Sequence, residues 1–205
     1  IPADKAPTAI EEIATSGKAK SIILIPGGFA ETGQGERAVE VQKTLADSRA
    51  REDRGPVLVG GNCLGIVSKH EYNTFFLPTY KLPFHDAPGD DLVVVSQSGA
   101  YLVTFTSNLD GIVFPRVSIS YGNEMDLTAS DFFEYYLEHE TDPQVFVFYV
   151  EGFQPGEGER FLSLVRRARN EGRSVVVYKA GKTAAGAEAA VCRALAQVDI
   201  DDLMS

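Results

Sequence analysis

Cysteine, histidine and basic residues are scarce in this sequence. Its 205 residues include two cysteines, Cys63 and Cys192, and three histidines, His70, His85 and His139. Two cysteines make neither a disulfide framework nor a spaced metal site, so no metal is expected. Lysine and arginine number 19 against 29 acidic residues, a formal net charge of -10. An acidic surface of that kind argues against non-specific nucleic-acid binding. No apolar run reaches the roughly 18 residues of a membrane span. The opening IPADKAPTAIEE has neither the basic n-region nor the apolar h-region of a signal peptide. The expectation is a cytoplasmic protein with no membrane and no nucleic acid among its partners.

What the chain does have is a 44% hydrophobic fraction, which makes it globular, and a series of short β-branched runs. SIILIP (21–26), PVLVG (56–60), LVVVS (92–96), RVSIS (116–120), VFVFYV (145–150) and SVVVYKA (174–180) read as strands. Most are apolar without alternation, as strands covered on both faces of a parallel sheet are. The segments between them read as helices. Phe133, Tyr136 and Leu137 fall on one helical face, and so do Phe161, Leu162, Val165 and Ala168. Thr128 with Asp131 suits a capping box, and Gly172 a helix stop. Strands alternating with helices imply βαβ units and a doubly wound α/β sheet. The stretch from about Val67 to Gly89, rich in proline and aromatics, reads as an ordered connection between two units.

Each strand ends in a polar or glycine-bearing turn: Gly27-Gly28, Gly61-Asn62-Cys63, Gln97-Ser98-Gly99, Tyr121-Gly122-Asn123, Glu151-Gly152 and Gly181-Lys182. In a parallel sheet these ends share one edge, where ligands of open α/β folds bind. A Ser-Gly turn that starts a helix presents free N–H groups and the positive end of the helix dipole, a ready phosphate site. Ser98 either caps its helix or also binds the ligand. Glu151 directly follows an apolar run, so partial burial is expected. It either bonds a helix N-terminus or an arginine, or it orients an imidazole. Cys63 is either a core cysteine or a residue near a thiol or thioester ligand. A serine hydrolase fits poorly. Ser98 lacks the flanking glycines of Gly-x-Ser-x-Gly, and no histidine is suitably placed.

The ordered set GGFAETG, GGNCLGI, NTFF, VVVSQSGA, VSISYGNEMD, FYVEGF and VVVYKAGKTAAGAEAA resembles the NDP-forming acyl-CoA synthetases, relatives of the succinyl-CoA synthetase α subunit. The resemblance implies Rossmann and flavodoxin-like parallel-sheet units. Residues 1–67 would be the second half of a CoA-binding domain, 68–90 the connection, and 91–205 the flavodoxin-like ligase domain. It implies interconversion of acyl-CoA, phosphate and ADP with free acid, coenzyme A and ATP, through an acyl phosphate and a phosphohistidine. ADP or ATP with Mg would sit on an ATP-grasp β domain or subunit, in a homo- or hetero-oligomer. By the same resemblance, Ser98, Gly99, Gly122 and Asn123 hold the phosphoryl group, and Glu151 positions the phosphohistidine. Gly27, Gly28, Asn62 and Cys63 lie at the CoA site.

Two departures stand out. The family's glycine-rich CoA-phosphate loop would precede Ile1. The segment with the phosphorylated histidine would follow Gly-Ala-Glu-Ala-Ala, yet Ala190 runs straight into VCRALAQ. None of His70, His85 or His139 falls in that motif. Breaks in the backbone are therefore expected near Ala190–Val191 and Gln197–Val198. The alternative is a non-catalytic CoA- or phosphate-binding module, or a sensing or scaffold part of a larger chain. The presence of the histidine separates these from the ligase.

Overall fold

Period-two geometry explains why the valine-rich strand near the middle of the sequence shows no alternation. In the computed structural model, which describes residues 1–29, 35–69, 71–78 and 89–180, this strand is β5 (Asp90–Ser96). Its Val93 and Val95 point to one face and its Leu92 and Val94 to the other, and all four are buried. Both faces are covered, so both must be apolar.

The chain forms α1 (Ala6–Ser16), β1 (Ser21–Leu24), α2 (Gly35–Arg49), β2 (Val57–Gly60), β3 (Gly65–Ser68) and β4 (Tyr72–Asn73) before β5. There follow α3 (Gly99–Asn108), β6 (Pro115–Ser120), α4 (Ala129–His139), β7 (Val145–Val150), α5 (Glu157–Asn170) and β8 (Ser174–Lys179). The strands make two sheets rather than one. β1 and β2 pair in parallel, with Ser21 opposite Val57 and Leu24 opposite Gly60. The other six run in the order β4-β3-β6-β5-β7-β8. Strands β6, β5, β7 and β8 are parallel, whereas β3 runs antiparallel to both β6 and β4. The expected α/β, largely parallel character is therefore present. The idea that every strand end shares one sheet edge is corrected, because β1 and β2 belong to a sheet of their own. β3 joins the second sheet although its residues lie mostly within 1–67.

The helices form where sequence and packing agree. α1 buries Ala6, Ile10 and Ala14, spaced by four, and stops at Gly17, whose φ of 65° suits a residue without Cβ. α4 begins at the capping box of Thr128 and Asp131. α5 ends just before Gly172, which also has positive φ. α4 and α5 cover one face of the large sheet, where Phe133 packs against Phe146, Phe148 and Phe161 with ring centroids 4.7–5.7 Å apart. α3 covers the other face through Leu102 and Phe105.

The two sheets are joined by the turn after β6. The backbone N–H groups of Asn123, Met125 and Leu127 donate to the carbonyls of Gly61, Gly60 and Leu58, at 2.8, 3.0 and 3.1 Å. Asp126 accepts a bond from the Leu58 N–H at 2.8 Å and pairs with Arg49 of α2. Met125 enters the core made by Ile10, Leu24, Phe29, Val41, Leu45 and Leu58. Among the described residues no helix is long and apolar enough to cross a membrane. The expected backbone breaks near 190 and 197 lie outside the described residues.

Candidate functional site

Strand direction places the C-terminal ends of β5, β6 and β7 side by side. The turn after β5 is built from its own serines. The Ser96 hydroxyl donates to the Ser98 carbonyl at 2.6 Å. Ser98 is the N-cap of α3, and its Oγ accepts the Tyr101 N–H at 3.3 Å. Capping thus describes Ser98 in this structure. The first helical N–H groups, those of Gly99 and Ala100, have no acceptor inside the helix and open toward the sheet edge. Gly99 is required by close approach: a Cβ there would lie 2.9 Å from Leu64 Cγ.

The turn after β6 lies against the turn after β2. Gly122 has φ of +64°, and a Cβ there would fall 2.1 Å from the Gly61 carbonyl oxygen and 2.6 Å from that of Asn62. No side chain fits that position. Asn62 is exposed and left-handed, with φ of 54°, a conformation asparagine tolerates. Its N–H donates to the Pro26 carbonyl at 3.0 Å, which ties it to the turn after β1. In that turn Gly27 and Gly28 are half-buried, and Arg37 donates to the Gly28 carbonyl at 3.1 Å. The structure therefore brings Gly61-Asn62 against Gly122-Asn123, and Leu64 against Gly99, although these residues come from two sheets.

The Cys63 thiol leaves the ligand-facing option behind. It is buried, donates toward the carbonyls of Leu24 and Val59 at 3.4 and 3.7 Å, and lies in the main core. Burial pushes it up to about 11, so it stays a neutral thiol. Of the two readings open in the sequence, core cysteine describes it.

Glu151 is exposed, which corrects the expectation of partial burial. It lies one residue past β7, where the sheet edge meets water. Its backbone, by contrast, is held. The Gln97 side-chain oxygen accepts the N–H groups of Glu151 and Gly152 at 2.7 and 3.1 Å. Lys179 donates to the Glu151 carbonyl at 2.8 Å. Sequence reasoning missed Gln97, which sits in the same turn as Ser98.

It also missed Glu124. This residue follows Asn123 with φ of 51° and is only 5% exposed. Burial first, then the nearby charge of Glu157, pushes its carboxyl up to about 8, against a smaller opposing contribution from a bond with the Ala129 backbone. Its Oε1 has no hydrogen-bond partner among the described residues. The only hint in sequence was an acid wedged between a glycine turn and Met125.

His139 ends α4 and packs its ring 5.0 Å from Tyr135. A helix between parallel strands runs opposite to them, so its C-terminus lies at the far edge of the sheet from Ser98. His70 and His85 lie outside the described residues. Among the described residues no group of His, Cys, Asp and Glu could hold a metal ion.

The fold and the sequence have counterparts among known proteins. The apo form of dinucleotide-forming acetyl-coenzyme A synthetase 1 of Ca. Korarchaeum cryptofilum is similar with a TM-score of 0.79 and 25% identity, over 99% of this chain and 42% of that one. The same enzyme in complex with phosphate and ADP gives 0.77 and 26%, over 93% and 38%. The ADP-forming acetate–CoA ligase of Methanocaldococcus jannaschii is 30% identical over 93% of this chain and 25% of its own length. ADP-forming acetate–CoA ligase I of Archaeoglobus fulgidus is 31% identical over 93% and 26%. The chain thus spans about a quarter of these two curated relatives. Residues 89–204, more than half of the chain, match the succinyl-CoA-ligase-like flavodoxin domain, and the chain belongs to that family, as its likeness to the NDP-forming acyl-CoA synthetases had pointed to.

Proposed function

We propose that this chain supplies the CoA- and phosphate-handling edge of an NDP-forming acyl-CoA synthetase. Such an enzyme interconverts acyl-CoA, phosphate and ADP with free acid, CoA and ATP. The observation that carries this reading is the convergence of Ser98-Gly99, Gly61-Asn62 and Gly122-Asn123 from three strand ends, with Glu151 tied to the same turn through Gln97. The α3 N-terminus favours an anion through its open N–H groups and dipole. Around it, glycines let backbone N–H groups approach closely, and in this reading Gly27, Gly28, Asn62 and the backbone at Cys63 meet CoA.

In the proposed cycle a phosphate oxygen attacks the thioester carbonyl, the C–S bond breaks, and CoA leaves as the thiolate. The acyl phosphate then gives its phosphoryl group to an imidazole and leaves as the carboxylate, and the imidazole passes the group to ADP. Glu151 accepts the N–H on the far side of that imidazole, which fixes the ring and balances the charge it gains. An exposed carboxylate on a rigid backbone suits a carrier that must arrive and depart. His139, at the end of α4, is not the carrier. ADP or ATP with Mg would occupy an ATP-grasp β domain or subunit, in line with relatives from Pyrococcus furiosus that are named as α subunits.

In the complete enzyme, Glu151→Gln is expected to fold normally and to lower acid-labile phosphoenzyme formation from acyl-CoA and phosphate by at least about a hundredfold. Wild-type labelling would remove Glu151 from the mechanism. It would favour a phosphate- or CoA-binding module of the same fold.

A further inference from the structure

We propose that Gln97 is a positioning residue for Glu151, one that holds the carboxylate in register with the α3 N-terminus. The proposal rests on the reading of Glu151 as the group that orients the phosphoryl-carrying imidazole. Parallel ladders link Ser96 to Tyr149 and Val150 to Lys179. The Gln97 N–H adds one more bond, to the Tyr149 carbonyl at 2.9 Å. Beyond that point the backbone of β7 has no strand partner on the β5 side among the described residues. Gln97 replaces it with a side chain, whose single oxygen takes both the Glu151 and the Gly152 N–H. On the other side the Lys179 ammonium holds the Glu151 carbonyl and also donates to the Ala180 carbonyl. Glu151 is thus pinned through its donor by one neighbouring strand end and through its acceptor by the other, while its side chain stays in water.

The position of Gln97 gives this arrangement its purpose. Ser96, Gln97 and Ser98 are consecutive, and their side chains respectively close the turn, hold Glu151 and cap α3. One short segment therefore fixes the distance between the anion-facing helix end and the carboxylate. The side-chain type also matters. A glutamate would accept the same two N–H groups with stronger bonds, but it would set a second negative charge beside an incoming phosphoryl group. A neutral amide oxygen holds the backbone without that repulsion. Because both partners are donors, the amide must face them with its oxygen.

The test uses the complete enzyme and rapid-quench measurement of phosphoenzyme formation at varied inorganic phosphate. Four variants are compared: Gln97→Met, Gln97→Glu, Glu151→Gln, and the double variant Gln97→Met/Glu151→Gln. Gln97→Met is expected to lower the maximal rate about tenfold, the scale of a lost hydrogen bond to a held group, with little change in the KM for phosphate. Gln97→Glu is expected to restore the maximal rate but raise that KM. The double variant should be no slower than Glu151→Gln alone, since nothing remains to position. Amide hydrogen exchange should show faster exchange at Glu151 and Gly152 in Gln97→Met and normal protection in Gln97→Glu. A wild-type maximal rate in Gln97→Met, or a double variant slower by the full product of the two single effects, would overturn the positioning role. A wild-type rate in Glu151→Gln would instead bring down the reading of Glu151 itself, and the positioning role with it.

Discussion

Two turns leave the same edge of the large sheet with a carboxylate each, and they treat it in opposite ways. The turn after β6 buries Glu124 beside Glu157 and raises its carboxyl to about 8. The turn after β7 exposes Glu151 and clamps only its backbone. The first turn is a joint: it is bonded to β2 and sends Met125 into the core of the smaller unit. The second is a mount that holds a charged group in water. Depth, rather than residue type, decides which acid is free to meet a ligand.

The sharpest way to break the joint is at Gly122. Gly122→Val combines a left-handed φ with a Cβ driven into the Gly61 carbonyl. It is expected to cost about 3–5 kcal/mol, read as a lower urea midpoint. Unchanged stability would mean that the two units do not meet as described.

The second test concerns Glu124 and pH. The folded state binds its proton more tightly than the unfolded chain, whose carboxyl has the ordinary value near 4.5. The stabilisation from this group is therefore complete below about pH 4.5, falls as pH rises toward about 8, and levels off above that. Glu124→Gln stays neutral throughout. It should match the wild type near pH 4.5 and exceed it at pH 8 by on the order of 4 kcal/mol. Parallel stability curves for the two proteins would show that Glu124 is not buried as an acid.

The smallest effect belongs to the mount. Glu151→Gln should leave stability within about 0.5 kcal/mol, because its side chain lies in water. A loss as large as that of a core substitution would give Glu151 a structural role and erase the contrast between the two turns.

Much of this was legible in the sequence where local pattern carries the information. VFVFYV is β7 to the residue, and LVVVS and RVSIS lie within β5 and β6. The capping box at Thr128 and the stop at Gly172 are local chemistry and were read from it. Gly122-Asn123 stood out because a glycine at a strand end has few other reasons to be there. The division into two sheets was not legible, since SIILIP and PVLVG have the same β-branched character as the strands of the larger sheet. Strands β3 and β4 were hidden as well. They are short, and the Thr74 hydroxyl holds Ile66 by accepting its N–H and donating to its carbonyl, a side-chain device without periodicity. Of the two acids, Glu151 was expected to be partly buried and Glu124 was not singled out, for a related reason. Glu151 follows an apolar run that ends just before it, whereas the positive φ of Glu124 turns its side chain inward. Gln97 lay beside the conspicuous serine and glycine, and its role depends on a contact with a residue 54 positions away.

The most direct test of the central claim is a titration of the isotope-labelled protein with inorganic phosphate, followed by backbone amide resonances. The account predicts saturable shifts centred on Gly99 and Ala100 at the α3 N-terminus, extending to Asn123 and Glu151. No shift at these residues, or shifts scattered over the surface arginines and lysines, would contradict it.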